Sequence, residues 1–143
     1  MAKELSAVGQ ASAGVSASEV WQALRRFGDL SWATVAGVES FESEGEGLGM
    51  LRKAWLPGEA EPVVEQLVEL DEPRRMLRYE IVAGGTPGLT DYSATARVVS
   101  DGRGCEIEWA CRATASGGAD ADAQALLDGL VEGIVSAFAA QFR

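Results

Sequence analysis

The sequence predicts an α+β fold in which a curved, seven-stranded antiparallel sheet wraps a long C-terminal helix, with two short helices after the first strand. Three observations predict it. Apolar residues recur at three- and four-residue spacing in two stretches, near residues 20–27 and again over 120–142. Between them the period shortens to two, and breaks containing Gly or Pro recur every eight to twelve residues. The chain is 143 residues long, which suits one compact domain over residues 1–143.

The elements follow in order. Leu5 to Gly14 mixes small, apolar and polar residues around Val8, the clearest strand former, and reads as a strand. Ser16 and Ser18 then offer N-caps to a helix carrying Val20, Trp21, Leu24 and Phe27 on one face, closed by Gly28. Asp29 to Thr34 has a cap-like Asp followed by the bulky Leu30 and Trp32, and suits a second short helix or turn. Strands are expected near 36–44, 48–56, 63–71, 75–83, 90–100 and 104–115. The breaks between them are EGEG at 44–47, PGEAEP at 57–62, DEPRR at 71–75, GGTPG at 84–88 and DGRG at 101–104. Such short connections make an antiparallel meander.

From Asp120 to Phe142 the helical period returns. Leu126, Leu127, Leu130, Val131, Ile134, Val135, Phe138 and Phe142 form its stripe, and Asp120 and Asp122 sit in the first turn, where the helix dipole favours negative charge. Gly129 and Gly133 share a face, and because interior glycines weaken a helix, a close approach by sheet or ligand is the expected reason for them. A strongly curled sheet cannot be filled by one helix alone. An apolar pocket between the two is expected.

Composition narrows the function. There is no His, which excludes imidazole bases, His-based triads and most zinc or iron sites, so neither metal nor cofactor is expected. There is no Asn either, and hence no N-glycosylation sequon. Twelve Lys and Arg against 22 Asp and Glu leave a formal charge of −10, a poor match for nucleic acid or an anionic membrane. Cys105 and Cys111, six residues apart on one expected strand, would lie roughly 20 Å from each other, beyond disulfide reach. They read as buried thiols. No secretory signal is legible, no run approaches 18 uninterrupted apolar residues, and a cytoplasmic location is expected. GEGLG at 45–49 is superficially like a phosphate loop, but it precedes a strand and reads as a hairpin turn.

The run GLGMLRKAWLPG, then VVEQLVELDEPRRMLRYEIVAGG, LTDYSATARV and CEIEWACRA, followed by a Gly-containing final helix, resembles the polyketide cyclase/dehydrase-like branch of the START-related, Bet v 1-like (SRPBCC) superfamily. The resemblance extends from about Ala7 to Phe142 and implies the helix-grip fold. The plant abscisic acid receptors are more distant relatives. Their gate and latch loops resemble Leu56 to Pro62 and Gly84 to Tyr92, but their hormone-binding Lys falls at Val38 and their polar residue on the last helix falls near Ile134.

The resemblance turns Arg52 inward, where a guanidinium could hold a carboxylate, phenolate or enolate oxygen. Alternation leaves its facing open, and an internal carboxylate, Glu65 being the candidate, could satisfy it equally well. For Glu65 the two lines conflict. Strict alternation buries Val64, Gln66, Val68 and Leu70 and exposes Glu65 and Glu69, whereas the resemblance puts Glu65 in the pocket. Tyr79 and Tyr92 suit an inward hydroxyl, and Trp109 an inward ring, though all three suit plain core packing too.

The expected ligand-binding set is therefore Arg52, Ala54, Leu56, Glu65, Tyr79, Leu89, Tyr92, Ala94, Trp109, Leu130 and Ile134, with Arg52, Glu65 and Tyr92 as catalytic candidates. The leading expectation is a carrier of a small hydrophobic molecule, aromatic or polyketide-like, acting as monomer or homodimer. The second is a cyclase or aromatase promoting aldol cyclisation and dehydration, with Arg52 stabilising enolate charge and Tyr92 or Glu65 moving protons. The third is a non-catalytic module whose rim loops recognise a protein.

Overall fold

A computed structural model describes residues 3–116 and 120–143. Strand β1 (Lys3–Ala13) leads through helix α1 (Ala17–Leu24) and a 3-10 helix (Ser31–Ala36) to β2 (Ser40–Glu44), β3 (Leu51–Trp55), β4 (Val63–Asp71), β5 (Met76–Ala83), β6 (Leu89–Ser100) and β7 (Cys105–Ala115), and ends in α2 (Asp120–Ala140). The seven strands form one antiparallel sheet in the order β1-β7-β6-β5-β4-β3-β2. The expected meander is present, with β1 added beside β7.

Boundaries differ where local chemistry decides them. Ser16 is the cap actually used, its hydroxyl accepting from the Glu19 amide at 3.1 Å, and α1 stops at Leu24 instead of running on to Gly28. Gly28 instead lets the chain pass close to β2, since a Cβ there would meet the Ser43 side chain at 2.8 Å. The strand expected from residue 36 starts only at Ser40, because the 3-10 helix occupies Ser31–Ala36 and ends at Gly37 in the left-handed region. Asp29, one residue before the cap position Leu30, closes the turn into that helix by accepting from the Ser31 amide at 2.9 Å. The GEGLG stretch lies in the β2–β3 hairpin, as expected.

At about 1.5 Å per residue, the 21 residues of α2 span about 31 Å. Leu127, Val131, Val135 and Phe138 are buried against β1 and β7, while Leu126 at the edge of the stripe is 38% exposed. By length and apolarity α2 would also suit a membrane span. Its packing on the sheet accounts for that composition.

The close approach ascribed to Gly129 and Gly133 is absent, since a Cβ on either would meet no atom within 4 Å. The glycine that admits the helix is Gly9 in β1. A Cβ at that position would lie 3.0 Å from Val135 Cγ1 and 3.2 Å from the Val131 carbonyl. With Ala7 and Ala11 beside it, Gly9 keeps the inner face of β1 shallow enough for α2 to settle.

Large side chains fill one end of the interior. Trp109 of β7 lies 5.6 Å from Phe138 and 6.0 Å from Trp32 between ring centroids, and Trp32 meets Phe138 edge-on at 5.3 Å. Ile107, Val98 and Leu77 continue this packed region, as do Phe27, Trp21 and Val20 from the α1 segment. Cys105 and Cys111 are free and buried.

Candidate functional site

The other end of the interior is hollow. A cavity of about 410 Å³ opens between the inner faces of β3 to β6, the segment Leu30–Val38 and the middle of α2. That volume falls within the usual range of small-molecule sites. Its walls are mostly apolar. Ala33, Ala36 and Ala54 are small, and Leu130 and Ile134 come from the flank of α2 beside its buried stripe. Leu56, Gly84, Gly85, Thr86 and Leu89 form the rim. The two rim loops touch at Gly84, whose φ is +74° and where a Cβ would approach the Pro62 carbonyl to 2.7 Å.

One ion pair interrupts the apolar wall. Arg52, 6% exposed, donates from Nε to Glu65 Oε1 at 2.6 Å and from Nη1 to the Phe27 carbonyl at 3.1 Å. Its guanidinium carbon also lies 3.9 Å from the Phe27 ring centroid and 4.6 Å from that of Tyr79. The guanidinium is therefore held by two aromatic rings, a carboxylate and a backbone carbonyl of the protein itself. Partnering of this kind is what a buried charge requires.

Glu65 reaches the cavity because the β3–β4–β5 ladder is irregular. Arg52 pairs directly with Glu65 across β3–β4, while the β4–β5 register shifts between Val64 and Glu65 and again between Leu67 and Glu69. The first shift leaves Val82 of β5 unpaired and the second leaves Val68 of β4 unpaired, so Val63, Glu65 and Leu67 share the inner face and the alternation resets at Val68 before Leu70. Strict alternation fails accordingly: Leu67 is the buried residue of β4, and Val64, Gln66, Val68 and Leu70 remain partly exposed.

The tyrosines line the cavity with their hydroxyls tied into the sheet. Tyr79 Oη accepts from Trp109 Nε1 at 3.1 Å, and Tyr92 Oη lies 3.0 Å from Cys111 Sγ. Burial, aided by the Glu65 charge, holds the Tyr79 phenol far above its ordinary value, with Arg52 and the Trp109 hydrogen bond pulling the other way. Burial raises Tyr92 in the same sense, reinforced by Tyr79 and Cys111. The Cys111 thiol is pushed up to about 11 by burial, against the opposing hydrogen bond from Tyr92. At neutral pH all three keep their protons. They can donate hydrogen bonds and cannot act as bases.

Of the eleven residues expected to bind ligand, nine line the cavity: Arg52, Ala54, Leu56, Glu65, Tyr79, Leu89, Tyr92, Leu130 and Ile134. Ala94 and Trp109 do not. Ala94 is enclosed in the sheet between Tyr79 and Cys111, and Trp109 sits behind the cavity, packed by Trp32 and Phe138. Trp109 instead positions the Tyr79 hydroxyl from behind.

Sequence reasoning missed Phe27, which supplies both a carbonyl and a ring to Arg52, and Trp32, which closes one side of the cavity. It also missed Asp91 at the rim, a non-glycine residue at φ +53° beside the β6–β7 register shift between Thr90 and Ser93. The helical spacing of Phe27 and the size of Trp32 marked both as buried. Nothing in the sequence marked Asp91. Among the described residues no three Cys, Asp or Glu side chains converge as a metal-binding set.

A curved antiparallel sheet gripping a C-terminal helix over a mostly apolar cavity defines the helix-grip class of fold. Residues 6–143 match the family described as polyketide cyclase / dehydrase and lipid transport, and the chain belongs to that family within the Bet v 1-like (SRPBCC) superfamily. Solved structures agree with the helix-grip architecture. A protein from Nitrosospira multiformis is 20% identical with a TM-score of 0.78, each chain being covered to 96%. Truncated norcoclaurine synthase from Thalictrum flavum is 20% identical over 98% of this chain and 91% of its own, with a TM-score of 0.73. Ara h 8.0201 is 19% identical over 98% of both chains, with a TM-score of 0.76. No curated protein sequence matches the chain.

Proposed function

We propose that this protein binds a small hydrophobic molecule, aromatic or polyketide-like, in the cavity between sheet and α2. The observation that carries the reading is a hollow of about 410 Å³ with mostly apolar walls, in a domain that packs its other half tightly. A core of ordinary density leaves no such space without a use for it. The direct test is titration with Nile red, a neutral apolar dye, alongside native mass spectrometry of protein purified from its own host. Binding should collapse in Ala54→Trp, which fills the hollow from β3, while the melting temperature stays near that of the parent. Wild-type protein that takes up no apolar probe and carries no retained molecule would overturn the reading.

A second reading, cyclase or aromatase chemistry in the same cavity, is favoured by the family match and by the ionised pair Arg52–Glu65 in an otherwise apolar wall. In it Glu65 accepts a proton, Tyr92 donates one, and the guanidinium steadies enolate charge. Tyr92→Phe should then lose turnover of a poly-β-ketone surrogate while keeping its affinity, and a carrier has no turnover to lose.

A further inference from the structure

We propose that the cavity selects neutral ligands bearing a hydroxyl donor, phenols above all, and rejects carboxylates. The proposal rests on the reading that the cavity binds an apolar molecule, and it names the class. Among the described residues three lining side chains are of the charged types, Arg52, Glu65 and Asp91, so acidic groups outnumber basic ones, and Tyr79 and Tyr92 keep their protons. Among the described residues the lining holds one cation, and it is already paired: Arg52 gives Nε to Glu65 and Nη1 to the Phe27 carbonyl and lies against the Phe27 and Tyr79 rings, leaving Nη2 as its one nitrogen without a protein partner. A carboxylate reaching Nη2 would meet a guanidinium whose charge Glu65 already balances, with Asp91 as a second carboxylate on the lining, in a chain whose formal charge is −10. Burying an anion without a cation of its own is strongly unfavourable.

Glu65 offers the opposite opportunity. Its Oε1 is taken by Arg52, while Oε2 has no hydrogen-bond partner among the described residues and belongs to a side chain on the cavity wall. A phenolic O–H pointed at that oxygen would form a charge-assisted hydrogen bond, stronger than one between neutral partners. Arg52 is thus a positioning residue that fixes Glu65, and Glu65 is the group the ligand meets. Asp91, fixed in the left-handed region at the rim, adds negative potential at the entrance.

The test compares three probes of one shape at pH 7: naphthalene, 2-naphthol and 2-naphthoate, with affinities from calorimetry or tryptophan quenching. Naphthol should bind roughly tenfold or more tightly than naphthoate, and more tightly than naphthalene. In Glu65→Gln the two should converge to within about threefold, and Asp91→Asn, which tolerates the same backbone conformation, should relax the rejection of naphthoate in a protein with its ion pair intact. Naphthoate binding as well as naphthol in the wild type, while naphthalene and Nile red still bind, would overturn the selectivity and leave the binding reading standing. Failure of every probe, Nile red included, would instead sink the binding reading and this proposal with it.

Discussion

Replacing Arg52 with Met tests the energetics of the site most directly. The substitution keeps a long side chain between Phe27 and Tyr79 but strands Glu65, whose side chain is 15% exposed and paired with Arg52 at 2.6 Å. Breaking a buried pair by removing one partner costs about 3–5 kcal/mol, and the residual exposure of Glu65 toward the cavity places this case near the lower end. For 143 residues the unfolding entropy is about 300 cal/mol/K, so a loss of about 3 kcal/mol lowers the melting temperature by about 10 °C. Urea denaturation followed by circular dichroism, with calorimetry for the melting point, measures both. The double variant R52M/E65L removes the stranded charge as well and should return to within about 1 kcal/mol of the parent, because a buried pair is often no more stabilising than apolar residues of similar volume. If R52M alone loses less than about 1 kcal/mol, Glu65 is hydrated and the pair is not an interior one. If the double variant stays as unstable as the single, the stacked guanidinium is the stabilising element instead.

Two further outcomes follow from packing and titration. Gly104→Ala should destabilise by about 2–4 kcal/mol in urea melts, because a Cβ there would collide with the Ala13 carbonyl at the β1–β7 seam, whereas G129A and G133A on the open face of α2 should each stabilise by up to about 1 kcal/mol; the reverse order would refute the placement of α2. The Cys111 thiol rises from an ordinary 9.0 to about 11 on folding, so it contributes stability that is complete below pH 9 and is lost as pH rises through about 11. That gap is worth about 3 kcal/mol, and C111A should flatten the fall in urea midpoint between pH 9 and 10, before the declines from Tyr79 and Tyr92 set in from about pH 10; an unchanged slope there would show that the thiol is solvated.

The fold was legible because each level of the sequence agrees with the next. Period two over the middle of the chain, glycines and prolines at the breaks and the apolar stripe of α2 all point to one meander closed by one helix, and the boundaries missed are those set by caps. Glu65 shows where legibility ends. A bulge at Val68 separates the inner-facing Glu65 and Leu67 from Leu70 in β4, and a bulge alters side-chain facing while leaving no mark in the hydrophobic pattern. Resemblance supplied what periodicity could not. Gly129 and Gly133 err in the other direction, since cost alone implied a tight contact, while the contact is made by Gly9 in a strand whose pattern singles out no glycine. Asp91 was beyond reach for a similar reason: its importance comes from a bulge and a rim, neither of which exists until the sheet is formed.

Side-chain size decides which half of the interior is hollow. At the filled end Trp109, Phe138 and Trp32 meet ring to ring, and at the empty end the lining includes the small Ala33, Ala36 and Ala54, with Gly84 and Gly85 at the rim. The backbone grip is shared by both halves, so the hollow is a property of those small residues and not of sheet curvature alone. Maximal stability would favour larger residues there, and it would favour apolar neighbours in place of Arg52 and Glu65. Both departures fall in the same space, and the Trp109 to Tyr79 hydrogen bond joins the packed half to it. A rigid aromatic wedge therefore supports one wall of the cavity, while the rim is made of the loops after β3 and β5. Those loops meet each other at Gly84 and Pro62, in a contact separate from the wedge.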